Sequence, residues 1–121
     1  MGKLPAFLFY PNDWSRDLEE HPLEIEGAWI RITCKLFYSE TRGRFAKTLP
    51  QIAKILGNRG EKTIRILKYL QSENIANIPT DLSRIDNKGL ITIESRRMVS
   101  DENKREKDRK RQKKRRDKPD E

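Results

Sequence analysis

The side chains able to do covalent chemistry are few. His21 is the only histidine and Cys34 the only cysteine in 121 residues, and they are far apart in the sequence. One histidine without a nearby cysteine cannot complete a nucleophile–base set, and neither residue has the spacing of a metal-ligand pair. The carboxylate pairs Glu19-Glu20 and Asp101-Glu102 come without a partnering histidine or a phosphate-cradling glycine loop. The expectation is therefore a protein that is not an enzyme and holds no metal or cofactor. What remains is cationic chemistry. Residues 49–70, LPQIAKILGNRGEKTIRILKYL, read as two short amphipathic helices joined at Gly-Asn-Arg-Gly. In the second, Thr63, Ile66, Leu67 and Leu70 recur on one side, and Lys62, Arg65, Lys68 and Tyr69 group on the other.

A second basic feature is larger. Hydrophobic residues make up 34% of the chain and charged ones 38%, and the imbalance sits at the C-terminus. Residues 104–118, KREKDRKRQKKRRDK, hold eleven Lys or Arg against three acids, so the formal charge of +8 belongs to this stretch. Such a block attracts polyanions, and its contacts are sequence-independent and salt-sensitive because they release counterions. Lys104, Arg105, Lys107, Arg109, Lys110, Arg111, Lys113, Lys114, Arg115 and Arg116 are its candidate nucleic-acid contacts.

These features need elements to position them. Residues 1–20 carry Phe7, Phe9, Tyr10 and Trp14 at irregular spacing, which predicts an extended, packed aromatic arm turning at Pro11-Asn12-Asp13. From Pro22 to about Glu40, Ile25, Ala28, Trp29, Ile32 and Leu36 define a helix face; Gly27 within it suggests a close-passing segment, and both tryptophans read as core. Gly43 ends this helix, and residues 44–47 form a short strand. Thr48 caps the next helix, which buries Leu49, Ile52, Ala53 and Leu56 and stops at Gly57; Asn58 and Glu61 then suggest a capping box for the third. Residues 75–78 and 90–95 alternate as strands around an Asp-Asn-Lys-Gly turn.

That order predicts an α+β fold, mainly helical with a small β-wing: a winged helix-turn-helix over 1–100, arm included, followed at 101–121 by a basic tail that is disordered or a solvated helix. A helix-turn-helix lays its second helix in the major groove, so Lys62, Arg65, Lys68 and Tyr69 become DNA-binding candidates. Arg84 and Lys88, near the wing tip, would meet flanking phosphates. The lone cysteine suits a reducing cytoplasm. No stretch reaches the apolar length of a membrane span and no secretory signal pattern opens the chain, so a cytoplasmic protein near the nucleoid is expected.

Three stretches, KLPAFLFYPNDW, EIEGAWIRITCKLFY and ESRRMVSDENKR, together resemble a family of short phage and prophage proteins. The family opens with Phe-Tyr-Pro-x-Asp-Trp, here Phe9, Tyr10, Pro11, Asp13 and Trp14. It continues with a Gly-aromatic helix, here Gly27 and Trp29, and closes its domain with an Arg-Arg-Met strand, here Arg96, Arg97 and Met98. The resemblance spans roughly residues 3 to 105. It implies the winged-helix module of a replication initiator or replisome organiser that binds double-stranded origin DNA and helps to recruit a helicase or its loader, with Arg96 and Arg97 alongside the duplex. Such relatives continue beyond the basic stretch, whereas this chain stops at Glu121. Two alternatives share the residues: a phage transcriptional regulator, and an adaptor that binds a replication protein through the aromatic arm while the tail holds nucleic acid nearby.

Overall fold

The computed structural model describes residues 9–117, which form α1 (Pro11–Leu18), α2 (Leu23–Phe37), β1 (Arg44–Thr48), α3 (Leu49–Leu56), α4 (Gly60–Ser72), a 3-10 turn (Leu82–Arg84), β2 (Leu90–Glu94) and α5 (Arg96–Asp117). Helices dominate and one two-stranded antiparallel sheet joins β1 to β2, so the α+β expectation holds at that level.

The core follows from the apolar periodicity. Ile25, Ala28, Trp29, Ile32 and Leu36 of α2 are buried as one stripe, and Phe37 extends it. Against them pack Leu49, Ile52 and Leu56 of α3, Ile66, Leu67 and Leu70 of α4, and Phe45, Ile91 and Ile93 of the sheet. Ile32, Leu36, Ile52, Leu67, Leu70, Ile91 and Ile93 are completely buried; each such side chain contributes about 1.5–3 kcal/mol relative to exposure. Thr63 lies in the same inner row of α4, and its hydroxyl has no hydrogen-bond partner among the described residues. That arrangement costs about 1–3 kcal/mol.

Local signals set the ends of α3. The Thr48 N–H donates to Gln51 Oε1 at 2.9 Å, closing the first turn, and Gly57 ends the helix in the left-handed region at φ 66°. The next helix departs from expectation at its start. The Asn58 N–H is taken by the Ala53 carbonyl as part of the α3 terminus, so Arg59, not Asn58, precedes the first turn of α4.

Four further expectations are corrected. The chain at Pro11 is helical, because proline at the first position and Asp13 in the first turn suit a helix start as well as a turn. Phe9 and Tyr10 are 50% and 42% exposed instead of packed, and only Trp14 and Leu18 of this segment join the core; Phe7 lies outside the described residues. Gly27 has open space where a Cβ would stand, so no segment passes close to it. Residues 75–78 make one bridge, Asn77 to Glu94, and not a strand. The Gln71 side chain draws off the Ile78 and Thr80 carbonyls at 2.8 and 3.2 Å, which ends the ladder, and β2 pairs with β1 instead, Phe45 opposite Ile93.

The last correction concerns Arg96, Arg97 and Met98, which open α5 and are not a strand. Ser95 initiates the helix: its Oγ accepts from the Met98 N–H at 3.4 Å and its carbonyl from the Val99 N–H at 3.0 Å. The Ser95 N–H donates to the Gly43 carbonyl at 2.8 Å. Gly43, at φ 91°, lets this junction close, since a Cβ there would stand 2.9 Å from Met98 Cβ and 3.0 Å from the Val99 nitrogen. From Ser95 α5 runs on through position 100 without a break to Asp117, and 103–115 are exposed.

The three glycines therefore rank. Gly27→Ala should stabilise by about 0.5–1 kcal/mol, as alanine replaces glycine inside an unobstructed helix. Gly57→Ala should cost about 1 kcal/mol for a left-handed alanine, and Gly43→Ala more than about 2 kcal/mol, because strain and collision with α5 add. Urea unfolding of the three variants checks the order.

Candidate nucleic-acid interface

α3 and α4 form a helical hairpin closed by Gly57, Asn58 and Arg59. Ala53, the small residue expected beneath the crossing, is buried, and the first turn of α4 rests on Leu49, 3.5 Å from where a Cβ on Gly60 would be. With Thr63, Ile66, Leu67 and Leu70 facing inward, the polar side of α4 must face away from the core.

That polar side does not stay together. Lys62 and Tyr69 turn toward the α1–α2 junction: Lys62 Nζ meets Glu24 Oε1 at 2.7 Å, and the Tyr69 hydroxyl is 2.8 Å from His21 Nδ1 with the rings edge to face. Tyr69 packs against the core, which corrects its expected place beside the groove. Arg65 and Lys68 remain exposed and form no ion pair among the described residues. The Glu24 carboxyl is held below its usual range, first by the hydrogen bond from Lys62, against a smaller opposing desolvation, and further by the charges of Lys62 and Arg65.

The segment between Asn77 and β2 folds back against α4. Leu82 is buried, the Thr92 N–H donates to Thr80 Oγ1 at 3.0 Å, and Gln71 holds the entry as described. Asp81 caps the 3-10 turn; the Ser83 hydroxyl and then its N–H keep the carboxyl below its usual range, with a smaller contribution from Lys68. Asp86 accepts from the Gly89 N–H at 2.7 Å and the Lys88 N–H at 2.9 Å, and these bonds, that of Gly89 foremost, lower its carboxyl as well. Arg84 and Lys88 are exposed on this segment.

Arg96 and Arg97 have other work. Arg96 Nη2 donates to the Asn74 carbonyl at 3.0 Å, with Asn74 in the left-handed region at φ 58°, so it ties the exit of α4 to the base of α5. Arg97 pairs with Asp13 at 3.1 Å and lies over the Tyr10 ring at 5.3 Å, holding α1. Both act as braces between elements of the domain. On α5, Glu102 bridges Arg42 at 3.2 Å and Arg109 at 3.5 Å, while Arg42 stacks over Phe37 at 4.8 Å. Lys104, Arg105, Lys107, Lys110, Arg111, Lys113, Lys114 and Arg115 are exposed; the Arg116 side chain lies outside the described residues.

The acids are what sequence reasoning missed. Glu24, Asp13 and Glu102 decide which cations are engaged, and of these Glu24 and Asp13 carried a signal, each as an acid in the first turn of a helix. Also unforeseen is a cleft of about 380 Å³ between α1, α2 and the base of α5, walled by Trp14, Trp29, Phe37 and Met98 and floored by Thr33. Among the described residues no three His, Cys, Asp or Glu come together as a metal-ligand set, and no helix is long and apolar enough to cross a membrane. Compared with known proteins, the chain matches no family, no curated protein and no solved structure.

Glu24→Gln should release Lys62 and remove the acid it pairs with. Binding to duplex DNA should tighten, and the slope of log K against log salt should steepen by up to about 0.9 for one added phosphate contact. The pH dependence has a definite sign. A carboxyl lowered from 4.5 holds its pair fully above that pH and loses it as pH falls through the depressed value. The wild type and Glu24→Gln should therefore converge in affinity in that acid range, as read by fluorescence anisotropy.

Proposed function

We propose that this chain binds double-stranded DNA as a winged helix-turn-helix, with α4 entering the major groove. The observation that carries the reading is the outward pair Arg65 and Lys68 on a helix whose opposite row is locked into the core. A two-helix hairpin with a left-handed glycine at its turn is the scaffold that such docking uses.

The order of elements supports the finer fold. β1 stands between α2 and α3 and pairs with β2 after α4, and Asn77 bridges the other edge of β2. Residues 79–89 then correspond to the wing. Because this wing packs against α4 through Leu82 and Gln71, its exposed cations Arg84 and Lys88 would meet phosphates beside the groove. Phosphate contacts set position and base contacts set sequence, so two outward side chains on α4 give modest specificity.

The Phe-Tyr-Pro-x-Asp-Trp opening and the Gly-Trp helix supply the rest of the reading: a phage or prophage protein acting in replication initiation in the bacterial cytoplasm, non-enzymatic, working with a helicase or its loader. One observation favours a second reading, the protein-interaction adaptor. Phe9 and Tyr10 are exposed beside the aromatic cleft instead of closing over the core.

A selection of bound sequences from a random duplex pool, followed by affinity measurements on the full chain, tests the leading reading. Arg65→Ala should weaken the selected site by about 1–3 kcal/mol, the usual worth of one good base contact, and change affinity for random duplex much less. If Arg65→Ala and Lys68→Ala leave selected-site affinity untouched, α4 does not read the groove and the adaptor reading stands.

A further inference from the structure

α5 is two-sided. Turning about 100° per residue, Lys104, Lys107, Arg111 and Lys114 fall within one narrow arc of the helix. Glu102 and Glu106 lie on the far side with Arg105, Arg109 and Lys113, and Asp101 and Asp108 border the arc. Contacts at the base of the helix have the same sidedness. Arg97, Met98, Asp101, Glu102 and Arg105 face the cleft against α1 and α2, Val99, Ser100, Asn103, Lys104 and Lys107 line a separate hollow, and Arg96 borders both. The far side is engaged with the domain through the Arg42–Glu102 pair, which Arg109 on the same helix joins. The near row is exposed, and none of its four cations is ion-paired among the described residues.

We propose that this row, Lys104, Lys107, Arg111 and Lys114, is a phosphate-tracking edge that lies along one backbone strand of duplex DNA. The inference rests on the nucleic-acid reading and goes beyond it, replacing a diffuse polycationic tail by a rigid, one-faced contact. The spacing fits. The ten steps from Lys104 to Lys114 rise about 15 Å, and one strand of duplex DNA presents a phosphate roughly every 3.4 Å along its axis. The row therefore covers the axial length of about four phosphates, of which those on the facing side of the duplex are within its reach. The helix is clamped at its base by the Ser95–Gly43, Arg97–Asp13 and Arg42–Glu102 contacts, so the row keeps a fixed direction from the domain. Competing partners fit less well. From Ser100 to Arg115 there is no apolar or aromatic side chain, so the helix has neither the greasy face needed to lie in a membrane surface nor a ring on which unpaired bases could stack.

Two triple variants of the full chain with equal loss of charge test the proposal. One carries Lys107→Gln, Arg111→Gln and Lys114→Gln; the other carries Arg105→Gln, Arg109→Gln and Lys113→Gln. Glutamine keeps helix propensity, and circular dichroism verifies that helicity is retained. On random-sequence duplex the first should lower the slope of log K against log salt by about 2.7, three contacts at about 0.9 each, and weaken binding at least tenfold at moderate salt. The second should lower the slope by less than about 1. Equal losses from both variants, or tighter binding to single strands than to duplex, would overturn the phosphate-tracking edge while leaving nucleic-acid binding intact. Failure of the unaltered chain to bind duplex even at low salt would overturn both.

Discussion

Burial of Ile66, Leu67 and Leu70 against Ile32 and Leu36 of α2, Ile52 of α3 and Ile91 and Ile93 of β2 fixes the rotation of α4. Every one of these side chains is essentially removed from water. Rotating the helix by one residue would exchange several of them for charged neighbours, at about 2–5 kcal/mol per large side chain lost from the core. The outward direction of Arg65 and Lys68 is thus a consequence of packing. Thr63 shows how strongly packing governs this row: its hydroxyl is buried without a partner among the described residues, and the apolar contacts on either side keep it there.

Electrostatics then sorts the cations that packing exposes. Lys62 is engaged by Glu24, Arg97 by Asp13, Arg42 and Arg109 by Glu102, and Arg44 by Glu94 at 2.7 Å. Most of these pairs are half exposed and individually worth about 0–1 kcal/mol. Their larger effect is geometric: Lys62–Glu24 ties α4 to α2, Arg97–Asp13 ties α5 to α1, and Arg42–Glu102 ties α5 to the connection between α2 and β1. Arg65 and Lys68 on α4, Arg84 and Lys88 beyond it, and the near row of α5 are among the exposed cations that have no such partner among the described residues.

The apolar skeleton was legible in the sequence because helical burial leaves a period of 3.6 that neighbours cannot disguise. The α2 stripe and the inner rows of α3 and α4 were found that way, and the glycines at 43 and 57 marked the helix stops and the start of the short strand at 44–47. Two kinds of feature were not. Proline followed by Asn and Asp opens either a turn or a helix, and only the contact of Trp14 and Leu18 with the core decides between them at Pro11. Alternation at residues 75–78 marks alternate burial, of Ala76 and Ile78, but not who accepts the hydrogen bonds, and Gln71 claims them. At the site, sequence grouped Lys62, Arg65 and Lys68 correctly on the polar side of one helix, but put with them Tyr69, which packs against the core. It could not show that His21 and Glu24, about forty residues upstream, split that group in two. The braces at Arg96 and Arg97 were invisible for the same reason, as their partners Asn74 and Asp13 lie far away in sequence.

The account as a whole turns on which surface a duplex touches. Backbone amide shifts of the isotope-labelled full chain, followed during titration with duplex DNA at low salt, address this directly. The expected result is perturbation concentrated around Arg65 and Lys68 on α4 and from Lys104 to Lys114 on α5, with the core strands unchanged. Perturbation confined to Phe9 through Leu18 and the walls of the aromatic cleft, with α4 silent, would contradict it.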